Sequence, residues 1–115
     1  AGQSQAIKAA ANTEATLLAV NCNRLYIGFD NATYGLNIWR TKSGVTNPTT
    51  EADFEAVCAT GNACSDPAKQ FGLGQTTANS RIFDGISVND AGLDYLIMNV
   101  GDGVNPLKIY RTTNY

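Results

Sequence analysis

Arg24 to Thr41 reads RLYIGFDNATYGLNIWRT, two short runs of apolar and aromatic residues around a polar centre. Leu25, Tyr26, Ile27 and Phe29 fill the first run, and Leu36, Ile38 and Trp39 open the second. Asp30, Asn31 and Gly35 between them are turn formers, so the pattern predicts strands over 24 to 30 and 36 to 42 joined as a hairpin. The pattern then returns. Asp94 to Thr113 reads DYLIMNVGDGVNPLKIYRTT, with strands expected over 94 to 100 and 107 to 113 around Gly101-Asp102-Gly103. A shift of 71 residues superposes Leu25 on Leu96, Ile38 on Ile109, Trp39 on Tyr110, Arg40 on Arg111 and Thr41 on Thr112.

The flanking segments extend both copies. Leu17-Leu18-Ala19-Val20 is a short apolar run, and Leu18-Ala19-Val20-Asn21 aligns with Ile86-Ser87-Val88-Asn89, so a strand is expected over 16 to 20. Residues 4 to 12 are Ala-rich and stay open between helix and strand. Asp53-Phe54-Glu55-Ala56-Val57 alternates acidic and apolar residues, the mark of a half-exposed outer strand. Residues 81 to 88 open the second copy. The expected organisation is a single domain over 1–115: unit one about 16–57, an irregular connecting loop 58–79, and unit two about 80–115, which lacks a last strand. A loop that long inside a small domain is unusual and often functional. Repeated units of this size cannot bury their own faces and must stack on neighbours.

Leu25-Tyr26-Ile27-Gly28, Asp30-Asn31, Gly35, Ile38-Trp39-Arg40-Thr41, Gly44 and Asp53-Phe54-Glu55-Ala56-Val57 together resemble the blade repeat of secreted β-propellers, and Ile109-Tyr110-Arg111-Thr112 is similar and less complete. Thr41-Lys42-Ser43-Gly44 is similar to a degenerate sialidase-type Asp-box, with Ser43 where the aspartate belongs. The resemblance implies an all-β fold of antiparallel sheets from two propeller-blade-like units. It also implies four-stranded blades in which a strand from one end of the chain completes the blade at the other, residues 4 to 12 being candidates. Two blades cannot close a ring, so the expectation is assembly with further copies. The alternative is an α+β pilin-like fold, with an N-terminal helix over 3 to 20 followed by an antiparallel sheet.

Composition narrows the partners. Of 115 residues only 16% are charged and the net charge is −2, which argues against nucleic acid as the main partner. No apolar run approaches the roughly 20 residues that span a membrane. A surface poor in charge and rich in Asn and Thr points to an extracellular or secreted protein, and Ala1-Gly2-Gln3 suits a mature end left by a small-residue cleavage site. Cys58 and Cys64 enclose a short loop that a disulfide would close, contributing at most about 2–3 kcal/mol, and Cys22 is left over.

Chemistry is sparse. With no histidine, the usual Ser-His-Asp, Cys-His and His-metal arrangements are not available. Glu51, Asp53 and Glu55 form pairs two residues apart, but a glycosidase needs two carboxylates about 5–9 Å apart across a cleft, and solvated edge charges are the plainer reading. A sialidase needs an arginine cluster on a carboxylate, whereas Arg40 and Arg111 read as strand-ending structural residues. The expectation is therefore no enzyme, no metal and no cofactor. Asp30-Asn31 and Asp102-Gly103 read as turn caps rather than calcium ligands. Asn31-Ala32-Thr33 is a glycosylation sequon if the site is exposed. Tyr34, Trp39 and Tyr110 are the candidate ligand-binding residues, able to stack on a sugar ring; for Trp39 core packing is the plainer reading, and Tyr34, in a hairpin loop, is the better candidate. The functional expectation is a secreted non-enzymatic β-repeat module acting by self-assembly or surface and glycan recognition. It would find a homo-oligomer or filament partner through its N-terminal segment and an open sheet edge. The alternative is the globular part of a pilin-like extracellular filament subunit.

Overall fold

The structure, a computed structural model, describes residues 11–33, 35–57 and 80–112. β1 (Glu14–Asn21), β2 (Arg24–Asp30), β3 (Asn37–Thr41) and β4 (Phe54–Ala56) form a four-stranded antiparallel meander in that order. β5 (Arg81–Asp90), β6 (Leu93–Gly101) and β7 (Lys108–Arg111) form a second, three-stranded one. The expected strands are all present, within a residue or two at their ends wherever both ends are described. No α-helix occurs among the described residues, and Glu14–Asn21 is strand, so the pilin-like helix over 3 to 20 is not formed there. The apolar run at Leu17 to Val20 gains more by pairing with β2 than its Ala-rich neighbours offer as a helix. The part of the helix-or-strand question that concerns residues 4 to 10 lies outside the described residues.

The duplication is carried by the backbone. In the first unit Tyr26 pairs with Arg40, Ile27 with Trp39 and Gly28 with Ile38. In the second, Ile97 pairs with Arg111, Met98 with Tyr110 and Asn99 with Ile109, the same register at the same shift. Each sheet has one irregularity, between Ala15 and Leu17 in β1 and between Ile82 and Asp84 in β5, and both fall opposite equivalent residues. Even a side-chain bond repeats: the Thr41 hydroxyl accepts from the Leu25 N–H at 3.2 Å, and the Thr112 hydroxyl from the Leu96 N–H at 3.0 Å.

The first strands correct the sequence alignment by one residue. Ala19 pairs with Tyr26 and Ile86 with Ile97, so Ile86 is equivalent to Ala19 and not to Leu18. The cause lies in the turns. The β1–β2 hairpin closes at Asn21 and Arg24 through Cys22 and Asn23, both at positive φ. The β5–β6 hairpin runs two pairs further, to Asp90 and Leu93, before Ala91 and Gly92 close it in the same way. Such doubly left-handed two-residue turns match the twist of the strands they join.

The sheets stack face to face, β1 lying against β5. One core results, with Leu17, Tyr26 and Ile38 from the first unit against Ile82, Leu96 and Met98 from the second. Full burial of each such side chain stabilises by about 1.5–3 kcal/mol. Two glycines permit the approach. A Cβ on Gly85 would overlap Leu17 Cδ1, and one on Gly28 would overlap Ile82 Cδ1.

Polar clamps tie the stack at both ends. Buried Asp30 accepts from the Thr16 hydroxyl and the Ile82 N–H, each at 2.9 Å, and pairs with Arg81 at 3.3 Å. Asn31 donates its backbone N–H to the Ser80 carbonyl at 2.8 Å. At the far end, Asn21 Nδ2 donates to the Ser87 hydroxyl at 3.1 Å.

Candidate interaction surfaces

Two kinds of surface are built by this arrangement: a sheet edge and a pair of sheet faces. The edge is that of β7. In the first unit β4 covers β3, the Val57 N–H donating to the Ile38 carbonyl at 2.9 Å and the Lys42 N–H to the Asp53 carbonyl at 2.8 Å. In the second unit β7 pairs with β6 alone among the described residues. Ile109, equivalent to Ile38, therefore presents its backbone to an edge that no described strand pairs, the usual template for another strand.

An equivalent arginine differs between the units as well. Arg40 lies buried, its Nε donating to Glu55 Oε1 at 2.8 Å, and the same oxygen accepts from Arg24 Nη1 at 2.8 Å. Arg40 Nη1 finds no hydrogen-bond partner among the described residues in that buried site. Its equivalent Arg111 is exposed and rests on the Tyr95 ring, 5.0 Å from the centroid. Glu55 is thus the centre of an ion triad and not the solvated edge charge expected from the sequence. Asp53 of that run is structural as well, while Glu51 is exposed. Asp53 caps a 3₁₀ turn over Glu51–Asp53, where N–H donation from Thr49 and then Thr50 holds its carboxyl below the usual range.

The faces follow from strand alternation. Leu17, Gly28 and Ile38 form one cross-strand row on the inner face of the first unit. Leu18, Ile27 and Trp39 form the row beside it, on the outer face. In the second unit Gly85, Met98 and Tyr110 form the inner row, and Asp84, Asn99 and Ile109 the outer.

Of the candidate ligand-binding residues, Tyr34 lies outside the described residues. Trp39 and Tyr110 hold equivalent positions in β3 and β7, yet the structure does not bring them together. Trp39 projects from the outer face, while Tyr110 packs against the core between the sheets. A shared aromatic platform for a sugar is therefore not formed by these two. The half-buried tryptophan and the tyrosine answer to different sides of the stack.

Cys58 and Cys64 also lie outside the described residues. Cys22 is a free thiol pointing at Asp94 Oδ2, 3.7 Å away, and burial first, then the Asp94 charge, push it above its ordinary value. That is the opposite of an activated nucleophile.

Asn31, the sequon asparagine, is fully buried, its Nδ2 donating to Asn12 Oδ1 at 2.9 Å. Asn37 Nδ2 meets the same oxygen at 2.9 Å, so this asparagine cluster excludes a glycan. Asparagines scattered over the sequence carried no signal of the cluster beyond their turn propensity. Asp102 does cap its turn, accepting from the Val104 and Asn105 N–H groups at 2.8 Å, and donation from Asn105 and then Val104 lowers its carboxyl.

Among the described residues no group of three or more acidic or cysteine side chains is placed to hold a metal ion, and no helix is long and apolar enough to cross a membrane. Compared with known protein families, with characterised proteins and with solved structures, the chain finds no match in any of the three.

Proposed function

We propose that this chain is a secreted, non-enzymatic β-repeat module, related in design to propeller blades, that works by self-assembly. The observation that carries the reading is the contrast between β3, covered by β4, and β7, which has the same register and no fourth strand among the described residues. An incoming strand would complete the second sheet by hydrogen-bonding along Ile109 and Arg111, a common mode of strand addition. The N-terminal segment of another copy is the candidate donor. Its anchor is well placed for that role, since Asn12 is held by Asn31 and Asn37, and the Thr13 N–H donates to the Asp30 carbonyl at 2.9 Å. Residues 1 to 10 precede this anchor.

Sedimentation equilibrium of the full chain and of a chain lacking residues 1 to 10 tests the proposal. The full chain is expected to assemble, and the shortened chain to remain folded and to lose mass. A full chain that stays at 12.2 kDa at high concentration would end the self-assembly reading. A shortened chain that assembles like the full one would remove the N-terminal strand from it.

A further inference from the structure

The two units stack front to back, and that leaves one front and one back without a partner sheet among the described residues. The inner row of unit one, Leu17–Gly28–Ile38, is equivalent by strand register to Asp84–Asn99–Ile109, which lies on the outer face of unit two. Conversely, the inner row of unit two, Gly85–Met98–Tyr110, is equivalent to Leu18–Ile27–Trp39 on the outer face of unit one. Two copies of one hairpin could have met through the same face, as in a two-fold contact. They meet through opposite faces, which is a heterologous contact and can be repeated without limit.

Both outer faces expose large apolar side chains. Leu18 is 74% and Val20 63% exposed on the first, and Ile86 is 59% and Ile109 75% exposed on the second. Ile38, the equivalent of Ile109, is 0% exposed. Solitary exposed apolar residues need no explanation, but these four fall in two pairs, one pair on each outer face.

The residues on the unused faces also match in size, with large and small exchanged. Inside the chain Leu17 of unit one enters the space above Gly85 of unit two. Between copies the equivalents are Asp84 and Leu18, so the large apolar side chain comes from the other partner. Gly85 donates its N–H to the Asp84 carboxylate at 2.8 Å, turning that charge back along its own strand. Inside, Ile82 covers Gly28; between copies, Ala15 faces Asn99. The polar contact of Asn21 with Ser87 at 3.1 Å becomes an apolar one of Val88 with Val20.

We infer that the outer face of unit two in one copy docks on the outer face of unit one in the next, repeating between chains the contact that joins the two units within a chain. The occupant is a second copy of this chain because the free face of each unit is the counterpart of a face already paired inside the molecule. The inference rests on the self-assembly reading but uses the sheet faces, where that reading used the β7 edge.

Two single variants test it, Leu18→Glu on the first face and Ile109→Glu on the second. Both side chains are exposed, so each variant is expected to keep the far-UV circular dichroism and melting temperature of the parent. Each variant alone retains one good face and one spoiled face, and is expected to lose the face contact and sediment at a lower mass than the parent. Mixed in equal amounts they are expected to regain mass, because the intact face of one meets the intact face of the other. Variants that assemble like the parent would overturn the face contact, and so would variants of lower mass whose mixture regains none. If the variants assemble normally while removal of residues 1 to 10 abolishes assembly, the edge reading stands and this one fails. A parent chain that is itself monomeric removes both.

Discussion

Unit one and unit two share register, bulge and the threonine bond to the facing strand, yet they treat equivalent residues in opposite ways. Arg40 is buried in an ion triad under β4, whereas Arg111 lies open against Tyr95. Leu17 is a core residue, while its equivalent Asp84 is in solvent. Neither difference is local. The first follows from the presence of a fourth strand, and the second from which face each unit turns to its neighbour. Backbone pairing is the same in both units, and side chains differ according to what covers them.

Substitutions at equivalent positions can break or sharpen this contrast. The largest effect is expected at the triad. Glu55→Ala strands the Arg40 charge in a buried site and should cost about 3–5 kcal/mol in urea unfolding. Arg111→Ala removes only an exposed contact of a cation with a ring, worth about 0.5–1 kcal/mol. Equal losses at the two positions would contradict the contrast. Next comes the interlock: Leu17→Ala should cost about 2–4 kcal/mol, and Asp84→Ala no more than about 0.5 kcal/mol.

A smaller pair is Thr41→Val and Thr112→Val. Each leaves a strand N–H without its hydroxyl partner, at about 1–2 kcal/mol. The fully buried Thr41 should lose more than the half-buried Thr112. The smallest effect is acid loosening of the two capped turns. Asp53 and Asp102 both have folded values below the unfolded carboxylate value of about 3.9. Their contribution is therefore present above that value and fades as pH falls through the folded one. Amide exchange at Thr49, Thr50, Val104 and Asn105 should quicken below about pH 4 before the sheets unfold. Unchanged exchange there would show that the carboxylates do not hold the turns.

The strands and their duplication were legible in the sequence because β-branched and aromatic runs broken by Asn, Asp and Gly state their own boundaries. The 24 to 30 strand is found as expected. Which face turns inward was not legible. The row Leu18–Ile27–Trp39 is more apolar than Leu17–Gly28–Ile38, so alternation alone points to the wrong side, and only the glycine space that accepts Leu17 decides. Matching residue types also misplaced β1 by one position, since Leu18 resembles Ile86 better than Ala19 does. A slip of one residue exchanges the faces of a strand. Glu55 could not be recognised as a buried partner because both of its arginines come from other strands. The asparagine cluster was hidden for a similar reason: Asn12, Asn31 and Asn37 are brought together only by the fold.

Front-to-back stacking within one chain is the claim on which the rest depends, and methyl nuclear Overhauser effects test it most directly. In the Ile109→Glu variant, where the face contact between chains is removed, the Leu17 methyls should show cross-peaks to the Gly85 Hα, and the Ile82 methyls to the Gly28 Hα. Leu18 methyls should show none to unit two. Cross-peaks from Leu18 to unit two, with none from Leu17, would mean that the units meet through other faces and that the account is wrong.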